Sequence, residues 1–194
     1  MLTVKKQKDE RVIRAFTHKL ADIPDGVTVS VKDFTQKKLA EGTPIGGKDS
    51  DGLYHIVKVA TLTAAATATA TTYPVHKGHN FKVGDFAMLK EGGNAYAITA
   101  IDTTTNSTHD VITVGTTLGA AAEKGEAIYQ AKAESTGTSS KFLYEPKALV
   151  GESYDVDSES NLIVNAWTIG QIREENIPGV GSAVKAKLSG ISFI

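Results

Sequence analysis

His76 and His79 stand three residues apart in His76-Lys77-Gly78-His79, a spacing that on one helical face could grip a metal ion. Gly78, with Pro74 just upstream, favours a loop instead, and the nearest carboxylate in sequence is Asp85. A polar turn ahead of a strand at Phe81 is the expectation. His18, His55 and His109 are isolated and are expected at the surface or at strand edges. Asp49-Ser50-Asp51-Gly52 begins like a calcium loop. The bidentate glutamate that closes such loops is missing, and Leu53-Tyr54-His55 follows at once as a strand, so a hairpin turn is expected. Asp155, Asp157 and Glu159 alternate; on one face they could bind a cation or act as the carboxylate pair of a glycosidase. Trp167 is the single tryptophan, and sugar-stacking aromatics are few, so a solvated acidic loop is expected there. No glycine cluster runs into Lys-Ser/Thr as a phosphate loop requires, and no dinucleotide fingerprint or nucleophile elbow occurs. The sequence thus predicts no catalytic residues, no cofactor-binding residues, no metal ligands and a protein that is not an enzyme.

Charge offers a different kind of site. Residues 1–20 carry Lys5, Lys6, Lys8, Arg11, Arg14 and Lys19 against Asp9 and Glu10, a net of +4 on a chain whose total is −1. The remainder therefore carries about −5, which separates a basic end from an acidic body. Two readings of this end stay open: an extended arm that orders on a partner, or a solvated, frayed terminus. Under the first, the contact candidates are Lys5, Lys6, Lys8, Arg11 and Arg14. The near-neutral total argues against direct nucleic-acid binding. Cysteine is absent, which excludes disulfides, thiol catalysis and thiolate-bound metals. No run approaches the roughly 20 apolar residues of a membrane helix. No apolar stretch follows the first lysines, so no secretory signal is expected, and synthesis in a cytoplasm is.

The elements that would position such residues are mostly short strands. Val27-Thr28-Val29-Ser30-Val31 alternates apolar and polar after the turn residues Pro24-Asp25-Gly26. Phe34–Leu39 is expected as a short helical or extended link, and 39–59 as a hairpin around a Gly/Asp turn. Thr61–Thr72, almost wholly Ala and Thr, fits a strand or a linker; an extended segment is preferred because Thr is β-branched. Within 73–131, strands are expected near Tyr73–Val75, Asp85–Leu89, Ala95–Asp102, Val111–Val114 and Ala127–Gln130, forming a small barrel or sandwich. Lys132–Lys141 is expected as a loop and 161–173 as one or two strands. A short helix capped by Ser182 is expected to precede a docked strand at the C-terminal end. The predicted fold is mainly β: a sandwich- or barrel-like domain from 21–60 plus 142–194, an inserted β module at 73–131, an arm at 1–20 and one short C-terminal helix.

Three segments carry a resemblance. Leu39-Ala40-Glu41-Gly42-Thr43-Pro44-Ile45-Gly46 followed by Asp51-Gly52-Leu53-Tyr54 resembles a hairpin of phage head-decoration proteins, and Phe81-Lys82-Val83-Gly84-Asp85 a hairpin start in related head proteins. The tail, from Gly170-Gln171-Ile172-Arg173 through Ile191-Ser192-Phe193-Ile194, resembles the end of phage head fibre proteins, though with one proline, Pro178, where that family often has several. The resemblance implies a tailed-bacteriophage capsid auxiliary protein: a β-rich homotrimer on the virion exterior that clamps neighbouring copies of the major capsid protein, with no membrane and no nucleic-acid partner. A carbohydrate- or cell-surface-binding module, with its site around Tyr96 or His79, is the alternative from another class. A tail or neck protein of the same particle is a third.

Overall fold

Along His109–Val114 every second side chain is buried, as the two-residue repeat of a strand with one face on a core requires. The computed structural model describes residues 14–157 and 159–194. Among them the strands, in chain order, are β1 (Phe16–Asp22), β2 (Val27–Val29), β3 (Lys38–Leu39), β4 (Pro44–Gly46), β5 (His55–Ile56), β6 (Val59–Thr61), β7 (Thr72–His76), β8 (Phe86–Met88), β9 (Asn94–Asp102), β10 (His109–Val114), β11 (Ala127–Ala131), β12 (Ser135–Thr136), β13 (Pro146–Val150), β14 (Tyr154–Asp155), β15 (Leu162–Val164), β16 (Ala166–Ile172) and β17 (Ile191–Phe193). One α-helix, α1 (Ser182–Lys187), lies just before β17. The described residues are mainly β, with several antiparallel sheets and, among them, a single short helix near the C-terminal end.

Strands from the middle of the chain follow the order β6-β11-β8-β9-β10-β7. The two ends of this order meet: Leu62 bridges Val75, and the Thr63 N–H donates to the Pro74 carbonyl at 2.9 Å. The sheet therefore closes into a six-stranded barrel filled by Leu62, Tyr73, Val75, Ile98, Ile112 and Ile128. Closure pairs the edges that a small sheet would otherwise leave open.

Strands from the two ends of the chain form a second, open sheet, β1-β16-β13-β4-β5, with β17 parallel to the last residues of β16. Two ribbons, β2–β15 and β3–β14, cover one face and enclose Val29, Leu39, Ile45, Ile56 and Val150. The other face packs Leu149 and Ile172 against α1 (Val184) and against the outer wall of the barrel (Met88, Ala127, Tyr129). This explains why all five residues of β11 are buried: Ile128 points into the barrel, while Ala127, Tyr129 and Ala131 face the shared core.

Several local expectations change. Thr61–Thr72 is not one extended segment. Strand β6 stops at Thr61, a turn forms at 67–70, and the Tyr73 hydroxyl donates to the Ala70 carbonyl. Small side chains alternate there without an apolar face worth burying: Ala66 is buried, whereas Ala64, Ala65 and Ala68 are exposed. The strand expected over Val27–Val31 ends at Val29 and runs into a 3-10 turn at Val31–Asp33. The link Phe34–Leu39 ends in β3, and the loop 132–141 contributes β12 to the edge of β9. Helix α1 is preceded by Gly181 in the cap position, and Ser182 is its first helical residue. The docked C-terminal strand is present as β17.

Candidate functional site

Lys5, Lys6, Lys8 and Arg11 lie outside the described residues; Arg14 lies within them and is exposed. The chain just after Arg14 is firmly held. The Ala15 and Phe16 N–H groups donate to the two oxygens of the Glu41 carboxylate at 3.0 and 3.1 Å, and the Arg173 N–H donates to the Ala15 carbonyl at 2.9 Å. Gly42 makes the approach of Glu41 possible. Its φ is +80°, and a Cβ there would overlap the Ile177 side chain. The basic stretch 1–20 is therefore not a uniform arm: from Phe16 it belongs to the sheet, with Ala15 and Phe16 in the core.

Strand β1 ends the open sheet. It pairs with β16 on one side, and no strand among the described residues pairs with its other side. Lys19 reaches back over Phe16 and Trp167 and donates to the Gly151 carbonyl at 2.8 Å, while Leu20 stands 69% exposed. An outward row of backbone donors and acceptors is a template for another chain, and an exposed leucine beside it adds apolar contact. His18, Lys19, Asp22 and the register shifts along the strand limit indiscriminate pairing.

His55, expected at a surface or strand edge, is buried instead. Its Nδ1 lies 2.7 Å from Asp33 Oδ2 and its Nε2 3.0 Å from Asp49 Oδ2, while the Tyr144 ring stacks on it at 3.8 Å and 3°. Both ring nitrogens face carboxylate oxygens, so neither is open to a substrate or metal. Burial pushes the Asp33 carboxyl up, opposed by His55. Asp49 is held below the usual carboxylate range, chiefly by its hydrogen bond with His55. The Asp49 turn is a hairpin turn: its Oδ1 accepts from the Asp51 and Leu53 N–H groups. Sequence spacing hid this centre, because Asp33 is 22 residues from His55.

The joint between barrel and open sheet carries further buried polar groups. Lys58, between β5 and β6, donates to Asp85 at 2.8 Å; Asp85 also accepts from Gln130 Nε2 and the Lys82 N–H. Beside it, His79 is buried too. Its Nδ1 accepts from the Phe81 N–H at 3.2 Å, and its Nε2 lies 3.4 Å from Asp110, which is bound by Lys77 at 2.6 Å. Burial lowers the His79 pKa, opposed by Asp110. The His79 carbonyl accepts from Thr35 Oγ1 and Gln36 Nε2, which ties the barrel to the link before β3.

His76 is exposed on β7 and does not join His79, and Tyr96 packs against the barrel core. Asp155 lies exposed on β14, and Asp157 accepts from the Glu159 N–H as a turn. Among the described residues no three His, Asp or Glu converge on a metal position. No helix among them is long and apolar enough to cross a membrane. Compared with known proteins, the chain matches no family model, no curated protein and no solved structure.

Proposed function

We propose that this chain is a structural attachment protein that decorates the outside of a tailed-phage head and stabilises it by bridging neighbouring major capsid subunits. The position of β1 carries this reading. It is a seven-residue sheet edge, continuous with the basic stretch that precedes it and clamped at its root by Glu41. Such an element offers backbone pairing, apolar contact through Leu20 and long-range attraction from Lys5, Lys6, Lys8, Arg11 and Arg14 to an acidic surface. A buried His55 saturated by two carboxylates supports a non-catalytic role. Three copies around a local threefold position would multiply weak single contacts into firm binding.

The test is sedimentation of the purified chain with expanded heads built from the major capsid protein encoded with it. The truncation must stop at residue 13, because removal of 1–20 would take most of β1 with it. The full chain is expected to pellet with heads and the shortened chain to lose most of that binding, with the gap between them widest at low salt. Equal binding by the two would contradict the reading.

A further inference from the structure

His55 sits on β5 between two carboxylates, its Nδ1 2.7 Å from Asp33 and its Nε2 3.0 Å from Asp49. An ionised carboxylate only accepts, and a neutral imidazole has one N–H to give. Two hydrogen bonds therefore need one proton more than a neutral ring between two carboxylates supplies. We propose that His55 is a proton-operated latch. With both nitrogens protonated it holds the Asp49 turn against the 3-10 turn Val31–Asp33, and loss of the second proton releases the Asp49 turn.

The groups around the ring decide where that proton sits. Asp33 comes from the 3-10 turn, Asp49 from the hairpin turn, and Tyr144 from the segment before β13. Burial favours a proton on Asp33, but His55 and the Lys58 and Lys82 ammonium groups all oppose it. Asp49 is held below the usual carboxylate range and does not take the proton. An imidazole is the stronger base, with an ordinary pKa of about 6.5 against about 3.9 for an aspartate. The proton therefore belongs to the ring, where it faces both carboxylates, and where a cation over the stacked Tyr144 face gains further attraction.

Geometry also selects the bond that opens. Asp33 makes the shorter contact and its side chain is the more buried, so the remaining proton stays on Nδ1 and Nε2 becomes an acceptor facing Asp49. The ring cannot follow the departing turn. Gly46 pairs with His55, and a Cβ on Gly46 would overlap Tyr144, so the stacked rings are set close on the sheet. The turn, by contrast, can move as a unit. Asp49 Oδ1 accepts from the Asp51 and Leu53 N–H groups, and the Asp49 N–H donates to the Leu53 carbonyl at 2.9 Å. This latch is independent of head attachment through β1.

Long-range ¹H–¹⁵N spectra of the ¹⁵N-labelled full chain, from mildly acidic to alkaline pH, read both ring nitrogens of His55, with the exposed His18 and His76 as references in the same sample. His55 is expected to show two protonated nitrogens at the acidic end and Nδ1–H alone at the alkaline end. The Asp51 and Leu53 amides should shift along the same curve. Asp49→Asn keeps the Oδ1 acceptor of the turn and offers an N–H to Nε2. In that variant the ring is expected to lose its second proton about one pH unit lower, and the turn amides to stop following it. A singly protonated ring at every pH at which the chain stays folded would overturn the proposal and place the proton on Asp33. A doubly protonated ring throughout, a ring titration that leaves the Asp51 and Leu53 amides unmoved, or a curve unchanged by Asp49→Asn would overturn it as well.

Discussion

The barrel and the open sheet solve one problem in opposite ways. In the barrel, the bridge between Leu62 and Val75 joins the ends of the strand order, and every strand of the path has a neighbour on both sides. In the open sheet, β5 is a buried two-residue edge, whereas β1 is seven residues long and pairs on one side. A closed barrel has little backbone to offer a partner. An open edge with an exposed leucine and a basic lead-in has much. Under the proposed attachment role, this difference makes the barrel the support and β1 the contact.

The joint tests how far the two regions depend on each other. Lys58 is buried at 5% exposure and belongs to neither sheet, yet it is anchored on the barrel through Asp85. Lys58→Ala leaves Asp85 without its cation and is expected to cost ~3–5 kcal/mol in urea unfolding, the largest single effect anticipated. The double variant Lys58→Met with Asp85→Leu should recover part of that loss, because the buried charge is removed with its partner. Independent melting of the two regions in the single variant would sharpen the comparison; an unchanged midpoint would break it.

A core truncation in the barrel comes next. Ile112→Ala is expected to cost ~2–5 kcal/mol, the range for emptying a fully buried aliphatic position. Circular dichroism with urea would measure it. Leu20→Ala on the exposed edge should leave stability nearly unchanged while weakening attachment to heads.

pH should act on the barrel side of the joint. Burial lowers the folded pKa of His79 below its ordinary 6.5. The folded state therefore binds this proton less readily than the unfolded chain. The contribution is complete above about 6.5 and is lost as pH falls through the folded value. Unfolding midpoints measured between neutral and mildly acidic pH should fall, and His79→Gln should flatten that slope. Asp49, lowered by His55, adds a further loss at more acidic pH, below the usual carboxylate range.

Smaller effects concern guarding of the edge and the surface. Replacing His18 and Lys19 by valine removes two charged or polar guards from β1 and should raise the solution mass by self-association, read by light scattering. The same change at exposed barrel positions should not. Glu174→Gln breaks a half-exposed pair with Lys185 and should cost well under ~1 kcal/mol.

Much of this architecture is legible in the sequence because alternation survives wherever one strand face meets a core. Strands β7 to β11 fall close to their predicted ranges for that reason, with Ile98, Ile112 and Ile128 pointing into the barrel. The Ala/Thr run departs from expectation because period-two alternation of small residues carries little burial energy, so a turn replaces the expected extension. Strand β13 leaves no clear trace: Pro146 opens it and Lys147 interrupts it, and both faces are covered by distant elements. The His55 centre is invisible for the same kind of reason, since Asp33 and Tyr144 come to it from opposite directions along the chain. Glu41, part of a hairpin motif in the sequence, has a role that no local spacing reveals: it holds the root of β1.

Hydrogen exchange of the full chain, free and bound to heads, tests the division of labour most directly. Free, the amides of β10 and β11 should exchange slowly and the outward amides of β1 fast. On heads, protection should rise across Phe16–Asp22 and stay unchanged in the barrel. A gain confined to the barrel, with β1 exchanging as freely as before, would contradict the account.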